Sequence, residues 1–440
     1  AMSHEVRGTR HLKYMIRLLF HKDNRNFLRL WLAQLVSQFG DRIHQLALVG
    51  LIAERSPGST FGLAKIMAFT ILPVFVIQPF AGVFVDRFDR RTTLFICDIV
   101  RGVLILAIPY IFLHYHSMVP IYIIVFLVFC FSRFHVPAKL SILPDLVDED
   151  SLYKANSLIT TTGMIAAALG AMIGAFLIEY YGARNGFIID AITFFISALF
   201  LFNITQPWRW RIQKKTIVDE GKKILEDIKK SVWQEMKEGF DYLLKHKEFR
   251  FVVNVMYTVL TVAGAIYIVM IVFIQETFNS VTKDLGVLAL SLVIGLFCGV
   301  IAYGHWGKKF KWYNTIFLCL ICGGLVLVLF SQLVYRYPIL PMACGLAMLW
   351  GVTIGPIFIA SNTVVHIISD ENMRGKVFSA LEIVINLAFL IAMFISSWLS
   401  EIVGMVWILT SVGGLCVFLG LFWLMQSQRG ILAFDGKKMA

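Results

Sequence analysis

Long apolar stretches, each bounded by polar or charged residues, recur along the whole chain. Examples are 316–334 and 387–399 with their flanks, which carry few charges. A helix needs about 20 such residues to cross the roughly 30 Å apolar core of a bilayer. Lipid offers no partner to a free backbone group, so each stretch is predicted to be helical. The pattern predicts twelve spans, at 27–53, 60–85, 92–114, 118–142, 153–178, 183–204, 250–275, 285–306, 313–334, 338–367, 376–400 and 404–426.

One long polar segment, 205–249, divides the predicted spans six and six. Within it, apolar residues from Leu225 to Leu243 recur at steps of three and four, which predicts an amphipathic helix lying on the membrane surface or the bundle floor. The expected organisation is an N-terminal tail 1–26, a bundle 27–204, a linker 205–249, a bundle 250–426 and a C-terminal tail 427–440.

Small residues and prolines inside the spans predict how the helices pack. The stretch Gly163-x6-Gly170-x3-Gly174 is expected to lie close against a neighbouring helix, because it presents no bulky side chains there. Other helices in the bundle can satisfy the carbonyl groups that a proline frees. Four prolines fall inside predicted spans: Pro73, Pro79, Pro109 and Pro356.

Composition agrees with an all-α membrane protein, because 58% of the residues are hydrophobic and only 15% are charged. A soluble domain is nearer half apolar and a quarter charged. The seven cysteines lie in or beside apolar segments, where packing is the expected role rather than disulfide, metal or redox chemistry. We expect no cofactor.

The formal net charge is +12, and the basic residues that produce it are unevenly divided among the loops between the predicted spans. Lysine and arginine concentrate in alternate loops, which the positive-inside rule assigns to the cytoplasm together with both termini. The charge therefore predicts the orientation of a protein of the bacterial inner membrane, and we expect no nucleic-acid partner.

The second predicted span ends in Gly82-Val-Phe-Val-Asp86-Arg87-Phe-Asp89-Arg90-Arg91. This motif resembles the signature between helices two and three of the major facilitator superfamily. The resemblance implies two pseudo-symmetric six-helix bundles around a central cavity. Gly82 would permit a close helix approach, while Asp86 would cap the helix and pair with basic groups to hold the cytoplasmic side shut. Arg87, Arg90 and Arg91 complete this expected gate, although they could instead serve only as positive-inside determinants.

The corresponding turn after the eighth span runs from Gly299 to Lys308 and Lys309. It keeps a glycine and basic residues but lacks the aspartate, which suggests that the two halves gate unequally. A further stretch, Pro137-Ala-Lys139 followed by Ala155-Asn156, resembles the turn between helices four and five in one branch of the superfamily. That branch includes macrolide-efflux and siderophore-export proteins. Bacterial lysophospholipid transporters carry a similar pattern. Trp233 to Leu243 also resembles the linker of the efflux branch.

Polar side chains within the first span form the leading candidate site. Gln34, Gln38, Asp41 and Gln45 repeat at helical spacing, with Arg42 and His44 beside Asp41. At 1.5 Å per residue Asp41 lies about 21 Å from the cytoplasmic start, near the midplane. An ionisable group there costs roughly 3 kcal/mol or more unless it faces water or a partner. We therefore predict a proton or substrate site on the cavity wall, with a structural Asp41–Arg42 pair as the alternative.

Other polar residues inside predicted spans are secondary candidates. The resemblance implies that helices one, four, seven and ten line the cavity, and a structural hydrogen bond between helices is the alternative for each residue. A cation on the fourth span could neutralise Asp41 or Glu382, whereas Asp190 is expected to be structural. The candidates are Arg133, His135, Asn254, Tyr257, Asn362, His366, Glu382 and Asn386.

The sequence contains no phosphate-binding loop for ATP and no enzyme motif. The chain is therefore predicted to be a secondary transporter, and we expect a monomer. The resemblance to the efflux branch implies export of small amphipathic compounds of the drug or siderophore type. Alternating access and coupling to protons, carried by Asp41, His44 or Glu382, are expected. A lysophospholipid flippase that uses Arg133 for the headgroup remains an alternative. Gly40-Asp41-Arg42 also resembles ferroportin-type exporters, so a divalent-metal exporter is a second alternative.

Overall fold

The computed structural model describes residues 24–205, 247–306, 312–368 and 374–428, together with residue 237. Residues 1–23 and 429–440 of the two tails, and all but residue 237 of the amphipathic helix expected at 225–243, lie outside these ranges. A 3₁₀ turn at Leu143–Asp145 follows the fifth helix. The helices are α1 Arg25–Arg55, α2 Thr60–Val76, α3 Gln78–Arg87, α4 Arg90–His114, α5 Val119–Ile142, α6 Glu149–Phe202, α7 Lys247–Phe278, α8 Lys283–Trp306, α9 Trp312–Arg336, α10 Leu340–Ile368, α11 Arg374–Val403 and α12 Met405–Gln428.

Helix length and apolarity confirm the all-α membrane class. Among the described residues, nine helices are long and apolar enough to cross a membrane, and Thr60–Val76 is a shorter apolar helix. One of the nine, at 151–202, covers two of the predicted spans. Helix α1, which carries the polar stripe, falls outside the nine. The count of twelve spans stays a prediction.

Two predicted spans have breaks that backbone chemistry explains. Helix α6 changes direction at Gly182, whose φ of +81° is open to glycine without steric cost and separates the predicted spans 153–178 and 183–204. The predicted span 60–85 divides at Ile77 into α2 and α3. Pro79 lies in the first turn of α3, where its missing N–H group costs nothing.

The described residues divide into two compact units. The first contains 24–48 and 69–205. The second contains 49–68 and the described residues that follow 230. The predicted boundaries of the two bundles stay a prediction.

Helix packing in the first unit confirms the expected close contact at the glycine-rich stretch of α6. A Cβ atom on Gly170 would lie 3.0 Å from the carbonyl oxygen of Phe39, and one on Gly174 would lie 3.1 Å from Ile43. Gly163 faces Gln38 in the same way, at 2.6 Å. Small residues therefore bring α6 against the polar helix α1.

The second unit contains a matching seam between α8 and α10. A Cβ atom on Gly295 or Gly299 of α8 would collide with the backbone of α10 at Met348 and Val352. Gly351 and Gly355 of α10 approach the backbone of α8 in return. The four-residue spacing on both helices allows the two backbones to touch.

Candidate functional site

Helix α1 places its polar residues in different environments. Gln34 is buried, and no described group forms a hydrogen bond with its Oε1 atom. Asp41 keeps 46% of its side chain exposed. Arg42 is exposed and donates from Nη1 to Gln45 Oε1 at 2.8 Å. Arg42 thus has a different partner from Asp41, although the two are adjacent in the chain.

Asp98 and Arg101, one turn apart on α4, form a buried ion pair in the first unit. Arg101 Nη2 donates to Asp98 Oδ1, and both side chains are almost fully buried. Ser197 of α6 donates from Oγ to the other carboxylate oxygen of Asp98 at 2.5 Å. The Arg101 guanidinium also stacks over the ring of Phe194, 4.1 Å from its centroid. Pairing of this kind offsets the high cost of removing each charge from water.

Two of the predicted site residues join this pair. Arg101 Nη1 lies 3.7 Å from Asp41 Oδ1 and donates to Ser132 Oγ at 3.2 Å. His135 Nε2, on α5, lies 3.7 Å from Asp98 Oδ1. Helices α1, α4, α5 and α6 therefore contribute to one ionic cluster, made of Asp41, Asp98, Arg101, His135, Ser132 and Ser197.

A second buried pair lies between α1 and α6. His44 Nδ1 is 3.0 Å from Asp190 Oδ2, and both side chains are at most 3% exposed. Gly40 makes this approach possible, because a Cβ atom there would collide with Thr193 and would lie 2.7 Å from Asp190 Oδ1. The rings of Phe129 and Phe187 pack around the imidazole of His44. Asp190, expected to be structural, is therefore the ion-pair partner of a predicted site residue.

The cation beside Asp41 is neither of the two candidates on the fourth predicted span. Arg133 Nη1 lies 3.4 Å from Gln78 Oε1 on α3, and His135 approaches Asp98. The charge next to Asp41 belongs to Arg101. Asp98 and Arg101 were absent from the predicted site. The pattern Asp98-x-x-Arg101 could have revealed them, since opposite charges one helical turn apart within an apolar span are expected to pair.

The basic residues at the start of α4 connect helices within the first unit. Arg90 Nη1 donates to the Ser141 carbonyl oxygen at 2.8 Å and to Asp145 Oδ2 at 2.9 Å. Buried Arg91 donates to the carbonyl oxygens of Leu201 and Phe202, the last residues of α6. A cation at a helix C-terminus satisfies carbonyl groups that have no partner within the helix.

The rest of this motif supplies a helix cap at Asp89 and an open position at Gly82. Asp89 caps α4, and its carboxylate accepts from the Thr92 N–H at 2.8 Å. Among the described residues, no atom lies within 4 Å of where a Cβ atom on Gly82 would stand, and the close approach expected there stays a prediction. The side chains of Asp86 and Arg87 lie outside the described part of the structure.

The candidates in the second unit lie on three helices. Asn254 and Tyr257 are exposed on α7. Asn386 donates from Nδ2 to the carbonyl oxygen of Glu382, one turn earlier on α11, at 2.8 Å. Asn362 and His366 lie on α10, and their side chains are outside the described part. A role for these residues in solute or proton binding stays a prediction.

The cluster of the first unit is suited to exchanging charge rather than to bond-making chemistry. Asp41 and Asp98 both approach one guanidinium, and the imidazoles of His135 and His44 each lie against a buried carboxylate. Among the described residues, no group of three His, Cys, Asp or Glu side chains is arranged to hold a metal ion. Apolar spanning helices that carry such a cluster in their interior are typical of a membrane transporter.

Comparison with known proteins identifies the family. A model of the Major Facilitator Superfamily matches residues 30–365, so the chain belongs to that superfamily. It is an integral membrane transporter and not an enzyme.

Several relatives are of the efflux type. The protein assigned as the bacilysin exporter BacE of Bacillus subtilis (strain 168) is 26% identical over 332 residues, which are 73% of this chain and 76% of that protein. Macrolide efflux protein A of Streptococcus pyogenes is 22% identical over 388 residues, which are 86% of this chain and 90% of that protein. The uncharacterised transporter YfiS of Bacillus subtilis (strain 168) is 28% identical, but that match covers only 48% of this chain and 49% of YfiS.

Solved structures support the fold alone. A bacterial homologue of the iron transporter ferroportin, in its inward-facing state, gives a TM-score of 0.68 with 13% identity over 91% of this chain and 98% of that chain. The nucleoside transporter NupG gives a TM-score of 0.70 with 10% identity, over 91% and 99% of the two chains. These likenesses confirm the major facilitator fold.

Proposed function

We propose that this chain is a secondary active exporter of small amphipathic compounds that works by alternating access and is driven by a proton gradient. The efflux-type relatives, named for bacilysin and for macrolides, support this class of solute. The asymmetry of lysine and arginine supports an orientation with both termini in the cytoplasm. The proposed location is the bacterial inner membrane.

The observation that carries the proposal is the position of Asp41. Its side chain is 46% exposed, yet its carboxylate lies 3.7 Å from the buried Arg101, which also pairs with the fully buried Asp98. A carboxylate at this depth is expected to face water, because contact with lipid would be costly. Asp41 is therefore the member of the cluster placed to exchange a proton with the surroundings.

Protonation of Asp41 changes how Arg101 is held. A neutral Asp41 attracts Arg101 less strongly, so the ion pair with Asp98 becomes the main electrostatic interaction of the guanidinium. The charge of the surrounding region also depends on His44, His135, Asp190 and Lys139, of which Lys139 acts electrostatically on Asp41. One proton moved through this region adds roughly 2.3 kcal/mol per 100 mV of driving force.

The test uses purified protein in liposomes with an imposed pH gradient. Radiolabelled erythromycin, ethidium and tetraphenylphosphonium are the probes. We expect wild-type protein to move at least one of them, and we expect a protonophore to abolish that transport. Asp41→Asn should lose the gradient-driven part by about tenfold or more, because an amide cannot carry the proton. Asp148→Asn is the control, since Asp148 is an exposed carboxylate just before α6.

Three outcomes would contradict this proposal. Transport that persists after the gradient is collapsed would exclude proton coupling. Equal activity of Asp41→Asn and wild type would exclude Asp41 as the coupling group. Movement of lysophosphatidylethanolamine or Co²⁺ in place of all three probes would favour one of the two alternatives.

A further inference from the structure

The second unit contains a partly open cavity of about 730 Å³, lined by residues that do not belong to the ionic cluster. Its wall is built by one face of α7 together with residues of α8, α9 and α10, and single residues of α11 and α12 complete it. Isoleucine, leucine, valine, alanine and methionine dominate the wall, and the lining residues include no acidic or basic side chain. The volume lies within the range of about 300–1,000 Å³ that is common for small-molecule sites.

A small polar spot interrupts this apolar wall. Trp350 and Thr353 of α10 face Gly323 of α9, where a Cβ atom would lie 3.8 Å from Trp350 Nε1 and 3.0 Å from Thr353 Oγ1. The Thr353 hydroxyl donates to the carbonyl oxygen of Trp350 at 2.7 Å, so it has no further proton to donate to an occupant of the cavity. The indole N–H of Trp350 has no hydrogen-bond partner among the described residues.

The depth of Trp350 limits what could satisfy its N–H group. Trp350 is ten residues from Leu340, where α10 begins, and this corresponds to about 15 Å, or half of the apolar core. At that depth a membrane lipid presents only hydrocarbon, since its ester oxygens lie near the interface. An indole N–H group is a donor only, so it requires an acceptor from the occupant.

We propose that this cavity binds the body of the exported solute, as a neutral and largely apolar moiety that places one hydrogen-bond acceptor at Trp350 Nε1. The inference rests on the proposed function for the identity of the occupant as cargo. It assigns solute recognition to the second unit, and proton exchange to the buried charges of the first. Met256 and Met270 in the wall have flexible side chains that can adapt to different apolar shapes.

The test compares two steroids, one with hydrogen-bond acceptors and one without. Progesterone is a neutral steroid with carbonyl acceptors, and 5α-androstane is a steroid hydrocarbon without any. Tritiated progesterone is bound at equilibrium to the full chain in nanodiscs, without a gradient, and empty nanodiscs are subtracted. We expect progesterone to bind, and to bind about five- to tenfold more tightly than androstane measured by competition. Trp350→Phe should remove that preference while androstane binds as before.

A pair of alanine substitutions on α8 locates the binding. Ala289→Trp places an indole inside the cavity and should weaken progesterone binding by about tenfold or more. Ala302→Trp is the matched control, because Ala302 lies on the same helix outside the lining. Size-exclusion profiles identify any variant that fails to fold. If an alanine variant fails to fold, the conservative Trp350→Phe variant alone tests whether the cavity binds the steroid.

The inference is overturned if wild-type protein binds no more progesterone than empty nanodiscs. Equal affinity for the two steroids, or equal loss in both tryptophan variants, would overturn it as well. These measurements need no proton gradient, so a failure of proton coupling leaves them interpretable. Export that continues while steroid binding is absent would reject the cavity and leave the proposed function intact.

Discussion

At the scale of single residues, Arg101 is the centre of the buried charges. It pairs with Asp98 on its own helix, approaches Asp41 on α1 and donates to Ser132 on α5. Removing one partner of a buried ion pair leaves an uncompensated charge, whereas removing both can be nearly neutral. The pairing of Arg101 with Asp98 therefore predicts an effect on stability that is separate from transport.

We expect Arg101→Gln to destabilise the protein by about 3–5 kcal/mol, because Asp98 would keep a buried negative charge without its cation. The double variant Asp98→Asn with Arg101→Gln should recover most of the loss. Thermal unfolding of the purified protein in detergent measures both. A single variant that melts at the wild-type temperature would show that the pair does not hold these helices together.

Two glycines of the first unit should respond in opposite ways to an added methyl group. Gly40→Ala is expected to destabilise by about 2 kcal/mol or more, since the methyl group would collide with Thr193 beside Asp190. Gly82→Ala should be neutral or should stabilise by a few tenths of a kcal/mol, because its Cβ position is open and alanine favours a helix. Thermal unfolding compares the two variants directly. Similar losses in both would contradict the packing described for Gly40.

At the scale of elements, the N-terminus of α2 is capped by a residue from a distant part of the chain. Glu401 of α11 accepts from the Ser59 hydroxyl at 2.8 Å and from the Phe61 N–H at 2.9 Å. Beside it, buried Thr60 donates to the Ser397 carbonyl oxygen at 2.8 Å and accepts from Ser400. A carboxylate at this position also interacts favourably with the helix dipole. The contact explains why segment 49–68 belongs to the second unit.

Glu401→Ala should lower stability by about 0.5–2 kcal/mol, because the first turn of α2 would lose its acceptor. Glu401→Gln keeps an oxygen acceptor and should restore part of that stability without the charge. Melting temperatures of the two variants, measured at low and high salt, separate the hydrogen bonds from the dipole effect. If both variants have the melting temperature of the wild type, Glu401 does not cap the helix.

At the scale of the whole molecule, two units of similar helical construction carry different chemistry. The described part of the first unit concentrates buried charges on α1, α4, α5 and α6. The second contains an apolar cavity lined by its own helices. The motif at the end of the second span, which includes Asp86, has no equivalent aspartate after the eighth span. The sequence therefore already contained one sign of this asymmetry.

Predictions from the sequence succeeded where they depended on local chemistry. Gly163, Gly170 and Gly174 were expected to pack closely, and they do so because a missing side chain leaves room whatever the neighbour is. The partner of a buried charge was harder to predict. His44 was expected beside Asp41 but lies against Asp190, which is 146 positions away by their residue numbers. No sequence period connects residues on separate helices.

The sequence by itself determined the helical class, the apolar spans and the family signature, because hydrophobic length and backbone satisfaction act on each segment independently. Only the tertiary structure decided that Arg101 lies beside Asp41 while Arg133 lies beside Gln78, and that no described residue accepts from the Trp350 N–H group in the cavity. Both depend on the rotation and depth at which separate helices meet. Side-chain packing sets these two quantities, and the order of residues along one helix does not specify them.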